Sequence, residues 1–273
     1  MLLRSLKPSC LPRRMVFLIS LALVALGLCG CQRVDLSDVT GSLGDTAGKT
    51  SADPRRDLDS SRERFRANSK DVDAALQYGG ALRASGQRAQ AVAVLEQAAI
   101  AIPNNKALLA GYGRALADNG NFQQAFDVLS RAHDPDDPDW RILSAQGAVL
   151  DQLDRHDEAR QYYASALKIA PEEASVLSNL GLSYMLSNNL PKAEETLRHA
   201  YARAASNPRV RTNLAVAVGL QGRLSEAETI VRAGLPEDQG MASAADLKQI
   251  LARRERARAD KITARGSPRS TPD

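Results

Sequence analysis

The chain has 273 residues, of which 44% are hydrophobic but only 4% are aromatic. Its apolar residues are mostly Ala, Leu and Val, and aromatic-rich alternating runs are missing, which excludes an all-β sandwich or barrel. The formal net charge of +4 comes from two basic ends, residues 1–30 and 253–273, and the body between them is acidic. An acidic body lacks a basic face for phosphate groups, so the charge pattern excludes nucleic acid as a partner.

Residues 1–30 are typical of a bacterial lipoprotein signal peptide. A basic start is followed by an apolar run over 15–28, which is shorter than the roughly 20 residues of a membrane-spanning helix. The residues Leu-Cys-Gly-Cys at 28–31 then resemble the lipobox that lipoprotein signal peptidase recognises. This resemblance implies that the Cys31 thiol carries diacylglycerol and that the amine freed by cleavage is acylated. The alternative is an ordinary secretory signal or a short membrane anchor.

The mature chain is expected on the periplasmic face of the outer membrane of a Gram-negative bacterium. Two or more acyl chains hold a polypeptide stably on a membrane, so the lipid anchor is the only membrane contact expected. By resemblance to Gram-negative lipoproteins, Gln32 after the anchor favours transfer to the outer membrane. Residues 31–56 are rich in Gly, Ser, Thr and Asp without periodicity, which predicts a flexible tether with a mean reach of about 25–30 Å.

From residue 72 the chain repeats every 34 positions without a gap. Small residues recur at one set of positions and large apolar residues at another. The small series include Gly79, Gly113, Gly147, Gly181 and Ala215, and Ala91, Ala125, Ala159, Ala193 and Ala227; a large series is Leu95, Leu129, Tyr163, Leu197 and Val231. This pattern resembles the tetratricopeptide repeat, which implies an all-α solenoid, a right-handed superhelix of helix pairs with capping helices. Small residues let paired helices approach closely.

The period sets the expected domain boundaries. Five repeats are predicted at 72–105, 106–139, 140–173, 174–207 and 208–241, and the fifth fits the pattern least well. The first helices are expected to end at Gly86, Gly120, Asp154, Asn188 and Gly222. A solenoid needs ends that cover its stacking faces, and capping helices are predicted at 57–71 and 242–258. A disordered basic tail is predicted at 259–273.

Residue patterns for catalysis or metal binding are missing from the sequence. His133, His156 and His199 lie in three different repeats without another His or Cys at ligand spacing, and each is interpreted as a surface histidine. The acidic segment 134–139 lacks the glycine and the closing glutamate of a calcium loop. No nucleophile motif is present. The sequence therefore predicts no enzymatic activity, cofactor, metal or small-molecule substrate.

A solenoid offers surface for binding, because the first helices of successive repeats line a concave groove. Core periodicity predicts which side chains face that groove: Arg83, Arg114, Arg141, Asn179, Arg209 and Asn213. Arginine is a forked donor suited to carboxylates, and asparagine can bond an extended peptide backbone. These six residues are the candidate partner-binding site, and the alternative is that they are ordinary solvated helix residues.

Local stretches refine the resemblance. They are PDWRILSAQG at 138–147, VLSNLGLSY at 176–184, LPKAE at 190–194, NLA at 213–215 and GLQGR at 219–223. Together with the lipobox, they resemble the TadD family, the tetratricopeptide lipoproteins of the tight-adherence (Flp-type) pilus assembly system. This resemblance implies a non-enzymatic, outer-membrane-anchored adaptor that assembles or localises the pilus machinery by binding its secretin and other assembly components.

Two other functions share much of this evidence. A tetratricopeptide lipoprotein could instead be a scaffold for another envelope complex, either outer-membrane protein assembly or recruitment of peptidoglycan enzymes. That scaffold would share every sequence feature except the five local stretches. A periplasmic hydrolase would need a catalytic constellation that the sequence lacks.

Overall fold

Helices and tight turns make up residues 54–266, the part of the chain that the computed structural model describes. In chain order the helices are α1 Pro54–Ala67, α2 Val72–Ala84, α3 Arg88–Ala101, α4 Lys106–Asp118, α5 Phe122–Ala132, α6 Trp140–Gln152, α7 His156–Ile169, α8 Ala174–Leu186, α9 Leu190–Arg203, α10 Pro208–Gly219, α11 Leu224–Arg232 and α12 Glu237–Gly266. No strand occurs within these residues. Each helix packs on the next, and α2, α4, α6, α8, α10 and α12 also contact one another in succession. The prediction of an all-α solenoid is confirmed.

The turn inside each helix pair requires one residue in the left-handed region of backbone space. Gly86, Gly120 and Gly222 have φ angles of 75°, 85° and 85°, and Asp154 and Asn188 have φ angles of 59° and 61°. Glycine adopts this conformation without steric cost, and Asp and Asn tolerate it better than most other residues. The five turn positions predicted from the sequence are therefore confirmed.

The start of every first helix has a capping side chain. Each cap accepts a hydrogen bond from a backbone amide of the following turn, which satisfies a donor that has no partner within the helix. The caps are Asp71, Asn105, Asp139, Glu173 and Asn207. They have the same 34-residue period as the core series, although the sequence analysis did not single them out.

Four helix pairs cross at a glycine that lies against a large side chain. A methyl group added at Gly79 would lie 2.6 Å from Leu95, and the same addition at Gly113 would lie 2.6 Å from Leu129. The corresponding distances are 2.7 Å from Gly147 to Tyr163 and 2.5 Å from Gly181 to Leu197. The fifth pair combines Ala215 with the smaller Val231, both buried. The predicted role of the small series, close approach of paired helices, is confirmed.

The two ends differ in detail from the sequence prediction. The first capping helix, α1, begins at Pro54 rather than at residue 57 and ends at Ala67. The last helix, α12, begins at Glu237, inside the predicted fifth repeat, and continues to Gly266 rather than ending at 258. The segment 252–265 consists largely of Ala, Arg, Lys and Glu without Pro or Gly, so nothing in it stops a helix. The prediction of disorder from residue 259 rested on the basic charge together with the Ser, Pro and Thr residues of the tail.

The buried face of α12 covers the last repeat. Ala244, Leu247 and Leu251 are buried, and Leu251 packs against Gly219 at the end of α10. The neighbouring Ala245 is exposed. Cys31, the signal peptide and residues 31–53 of the tether lie outside the described residues. Within residues 54–266, no helix is both long enough and apolar enough to span a membrane.

Candidate partner-binding surface

A cleft of about 470 Å³ lies along the first helices α2, α4 and α6. Small residues of α2 and α4 are among those that line it, and they are here called its floor: Gly80, Ala107, Ala110 and Gly111. Charged side chains of both signs surround the floor, namely Arg83, Lys106, Arg114, Asp134, Asp137, Asp139 and Arg141. A floor of small residues lets another polypeptide backbone approach, and the charged residues around it can select polar groups.

Three of the six sequence-predicted groove residues, Arg83, Arg114 and Arg141, line this cleft. The Nε atom of Arg83 lies 2.6 Å from the Oδ2 atom of Asp118, and the Arg83 side chain is only 8% exposed. Arg83 therefore joins the first helices of the first two repeats. Arg209, at the start of α10, does not line the cleft; burial lowers the pKa of its guanidinium, and the negative charge of Asp118 opposes this shift. Asp118 was not identified from the sequence, where its only signal is an acidic residue at the end of α4, the next first helix after the one that carries Arg83.

Asn179 and Asn213 do not lie in the cleft, and they join neighbouring repeats. The amide of Asn179 donates to Ser144 Oγ at 3.2 Å, and that of Asn213 donates to Ser178 Oγ at 3.0 Å. Asn213 is 1% exposed, so the prediction that it faces a partner in the groove is corrected. Periodicity placed both residues near the concave side but could not show that each amide is hydrogen-bonded to the preceding first helix. Asn179 is half-buried.

The start of α6 contains an aromatic residue that the sequence analysis did not propose for binding. Trp140 is half-buried, and the exposed Arg141 guanidinium lies 4.6 Å from the centre of its ring. Arg141 also lies 3.7 Å from Asp139, measured from Nη1 to Oδ1. Tryptophan and arginine are enriched among the residues that dominate protein interfaces, so this pair extends the candidate surface at one end of the cleft.

The acidic segment before α6 is held by a lysine. Lys106 forms an ion pair with Asp134, and this contact together with the backbone amide of Asp136 lowers the pKa of the Asp134 carboxyl. Within residues 54–266, no group of three or more His, Cys, Asp or Glu is arranged to hold a metal ion. The contacts in this segment are those of a surface loop beside the cleft.

A buried polar cluster lies apart from the cleft, where α6, α7 and α8 meet. The Asp151 carboxylate is hydrogen-bonded to His156 Nδ1 at 2.8 Å, Tyr163 Oη at 2.9 Å and Ser183 Oγ at 2.8 Å. The His156 side chain is only 18% exposed, so its interpretation as a surface histidine is corrected. Burial raises the pKa of Asp151, although all three hydrogen bonds oppose the rise. Burial also raises the pKa of Tyr163 well above its usual range.

The architecture described above defines the class of protein. The profile of the tetratricopeptide repeat family matches residues 82–147 and 152–210, and a second profile of the same repeat matches 208–233. Together these matches cover more than half of the chain, and the chain belongs to the tetratricopeptide repeat family. Proteins of this family are generally non-enzymatic scaffolds for protein–protein interaction. No curated protein sequence is significantly similar to this chain.

Several solved structures share the fold. A thermophilic tetratricopeptide-repeat protein of Thermus thermophilus is 21% identical, with a TM-score of 0.58, and the match covers 66% of this chain and all of that one. A monomeric mutant of IFIT1 with Gppp-AAAA is 14% identical, with a TM-score of 0.57, over 68% of this chain and 47% of that one. The Cut9–Hcn1 assembly of the APC/C is 14% identical, with a TM-score of 0.54, over 74% and 46%. At these identities the likeness shows the fold alone.

Proposed function

We propose that this chain is a lipid-anchored periplasmic adaptor that assembles or localises the tight-adherence (Flp-type) pilus machinery at the outer membrane, by binding its secretin. The observation that carries the binding role is the cleft along α2, α4 and α6, with Arg114 and Arg141 among the charged residues around its floor of small residues. Forked guanidinium donors suit the carboxylates and backbone carbonyls of a partner segment.

The choice of partner rests on the sequence. The local stretches at 138–147, 176–184, 190–194, 213–215 and 219–223 resemble the corresponding pilus lipoproteins. The first of these stretches contains Trp140 and Arg141, so it coincides with one end of the cleft. This overlap supports the proposal, because residues with a shared partner are expected on a shared surface.

The binding role is tested by the double variant Arg114→Ala/Arg141→Ala. We expect recovery of the secretin with the purified lipoprotein from solubilised envelopes to fall about tenfold, since loss of paired charged donors costs roughly 1–3 kcal/mol. The matched control is Arg88→Ala/Arg131→Ala, which removes the same charge from exposed positions on the second helices α3 and α5. Helical circular dichroism should be unchanged in both.

The result that would contradict the binding site is equal secretin recovery by the two double variants. Mass spectrometry of proteins captured by the wild type distinguishes the partners. Capture of outer-membrane assembly factors or peptidoglycan enzymes without the secretin would replace the pilus role by a general envelope scaffold.

The lipid anchor is tested separately at Cys31. Without its thiol no diacylglycerol can be attached, so Cys31→Ala should accumulate as an unprocessed precursor. The matched control is Cys29→Ala, since the neighbouring cysteine is expected to leave with the signal peptide. Labelling with a fatty-acid analogue and membrane fractionation measure both outcomes. Normal processing and outer-membrane recovery of Cys31→Ala would overturn the lipoprotein assignment.

A further inference from the structure

The buried cluster around Asp151 connects two successive repeats through one carboxylate. Asp151 lies near the end of α6, and its side chain is 4% exposed. His156 and Tyr163 approach it from α7, and Ser183, which is fully buried, approaches it from α8. Three helices of the third and fourth repeats therefore share a single ionisable group.

The other repeats lack this arrangement. The residues at the position of Asp151 are Arg83, Ala117, Met185 and Gly219, and those at the position of Tyr163 are Leu95, Leu129, Leu197 and Val231. Leucine fills the helix crossing without a polar group, whereas Tyr163 places a hydroxyl in the core that needs a partner. Asp151 provides that partner and brings a charge into the joint between the two repeats.

Few other charges face the carboxylate. On α7 the ionisable neighbours are His156 and Tyr163, and α8 contains no charged residue. The turn contributes Asp154, whose Oδ1 lies 3.8 Å from His156 Nε2. The nearby arginines of α7 and its cap are paired elsewhere, Arg155 with Glu158 and Arg160 with Asp157. In the described residues no Lys or Arg forms an ion pair with Asp151, so its ionised form is held by hydrogen bonds and by His156.

We propose that the Asp151 cluster is a pH-sensitive joint between the third and fourth repeats, tight when the carboxyl is protonated and looser when it is ionised. The hydroxyls of Tyr163 and Ser183 can accept hydrogen bonds as well as donate them, so a protonated carboxyl keeps both contacts. An ionised carboxyl keeps them too, but its charge has been removed from water without a cationic arginine or lysine partner. The joint connects α6, the helix that carries Arg141, to α8. Its strength therefore affects how firmly α6, and with it one end of the cleft, is packed against the next repeat.

The direction of the pH dependence follows from the pKa shift of Asp151. Burial raises this pKa in the folded protein above its value in the unfolded chain. The stability contributed by protonated Asp151 is therefore complete below the unfolded pKa and is lost as pH rises through the folded pKa. Acidic conditions tighten this joint, in contrast to the usual behaviour of a salt-bridged carboxylate.

The test compares the wild-type protein with Asp151→Asn from pH 4, close to the ordinary aspartate pKa of about 3.9, to pH 8. Asparagine has the shape of the carboxyl and no charge, so the variant should melt about 2–4 °C above the wild type at pH 8, and the gap should shrink towards pH 4. Hydrogen exchange measures local opening at the joint, with the amides of α4 as the internal reference. In the wild type alone, exchange of α8 amides relative to α4 should rise with pH. A difference in melting temperature between Asp151→Asn and the wild type that stays constant with pH would overturn the proposal.

Two further variants separate this effect from a purely structural role. Tyr163→Phe removes one of three donors to the ionised carboxyl, so the pH-dependent fall in melting temperature should occur at higher pH than in the wild type. The phenyl ring still fills a position that is leucine in three other repeats. Glu195→Gln removes an exposed charge from the fourth repeat away from the cluster and should follow the wild type at every pH. If Asp151→Asn does not fold, an unshifted transition in Tyr163→Phe overturns the proposal.

Discussion

At the scale of single residues, the repeat depends on glycines that leave no room for a side chain. Gly147 is the strictest example, because the Tyr163 ring that lies against it is itself held by the Asp151 hydrogen bond at 2.9 Å. In the other three glycine crossings a leucine occupies this place and has more freedom to turn. A residue with a Cβ atom at position 147 must therefore separate α6 from α7 or break the hydrogen bond.

Gly147→Ala should consequently destabilise the protein by about 1–3 kcal/mol, the usual cost of overpacking a core. The matched control is Gly80→Ala, because Gly80 lies inside α2 and an added methyl group would meet no atom within 4 Å. Alanine in a helix interior is favoured over glycine, so this variant should gain about 0.5–1 kcal/mol. Urea denaturation followed by circular dichroism measures both changes. Equal effects of the two substitutions would contradict the close approach of the paired helices.

At the scale of helices, a cluster of charges joins the fourth repeat to the fifth. Glu194 on α9 accepts hydrogen bonds from Arg198 Nη2 at 2.7 Å, from Gln221 Nε2 at 2.7 Å and from Arg223. Both arginines also contact Glu226 on α11. The Arg223 guanidinium is the main reason that the pKa of Glu194 falls to about 2, and Arg198 and Gln221 add to the effect.

The lowered pKa makes the contribution of Glu194 depend on pH with a defined sign. Stability from this carboxylate is present above its unfolded pKa, about 4.3, and is lost as pH falls towards about 2. Glu194→Gln should therefore cost about 1–3 kcal/mol at neutral pH and almost nothing at pH 2, measured by denaturant unfolding. The exposed neighbour Glu195 provides the control, and Glu195→Gln should have little effect at either pH. A pH-independent loss in Glu194→Gln would show that packing, not charge, is responsible.

At the scale of the whole described chain, the end of the solenoid depends on α12. Leu247 is 1% exposed and belongs to the same buried cluster as Leu214 and Val218 of α10. A terminal repeat leaves its stacking face in water unless another helix covers it. Loss of the α12 contacts should therefore loosen the fifth repeat before the repeats further from that end.

Leu247→Ala should lower stability by about 2–4 kcal/mol, as expected for a buried leucine. Hydrogen exchange should increase first in α10 and α11 and least in α4, since each repeat contacts only its neighbours. Met241→Ala is the control on the same helix, because Met241 is 59% exposed. A uniform rise in exchange along the chain would indicate that all repeats unfold as one unit.

Much of this architecture could be predicted because the information is periodic. The glycine and alanine series, the left-handed turn residues and the large apolar series recur at one spacing, so several weak local preferences support the same answer. Residues that act through one pair of contacts lack such repetition. The Arg83–Asp118 pair joins the first two repeats, and the Asp151 cluster joins the third and fourth. Neither set of residue types recurs at the equivalent positions of the other repeats.

By itself the sequence determined the helical class, the repeat length, the five turns and the positions where paired helices cross, because these depend on the backbone and on side-chain size at fixed spacing. Only the tertiary structure decided that Asn213 is covered by neighbouring helices, that His156 meets a buried carboxylate, and that α12 is one helix through Gly266. It also decided that Arg83, Arg114 and Arg141 share one cleft while Asn179, Arg209 and Asn213 lie outside it. The physical reason is that a helical period specifies the face on which a side chain lies, whereas its accessibility depends on the helix stacked against that face.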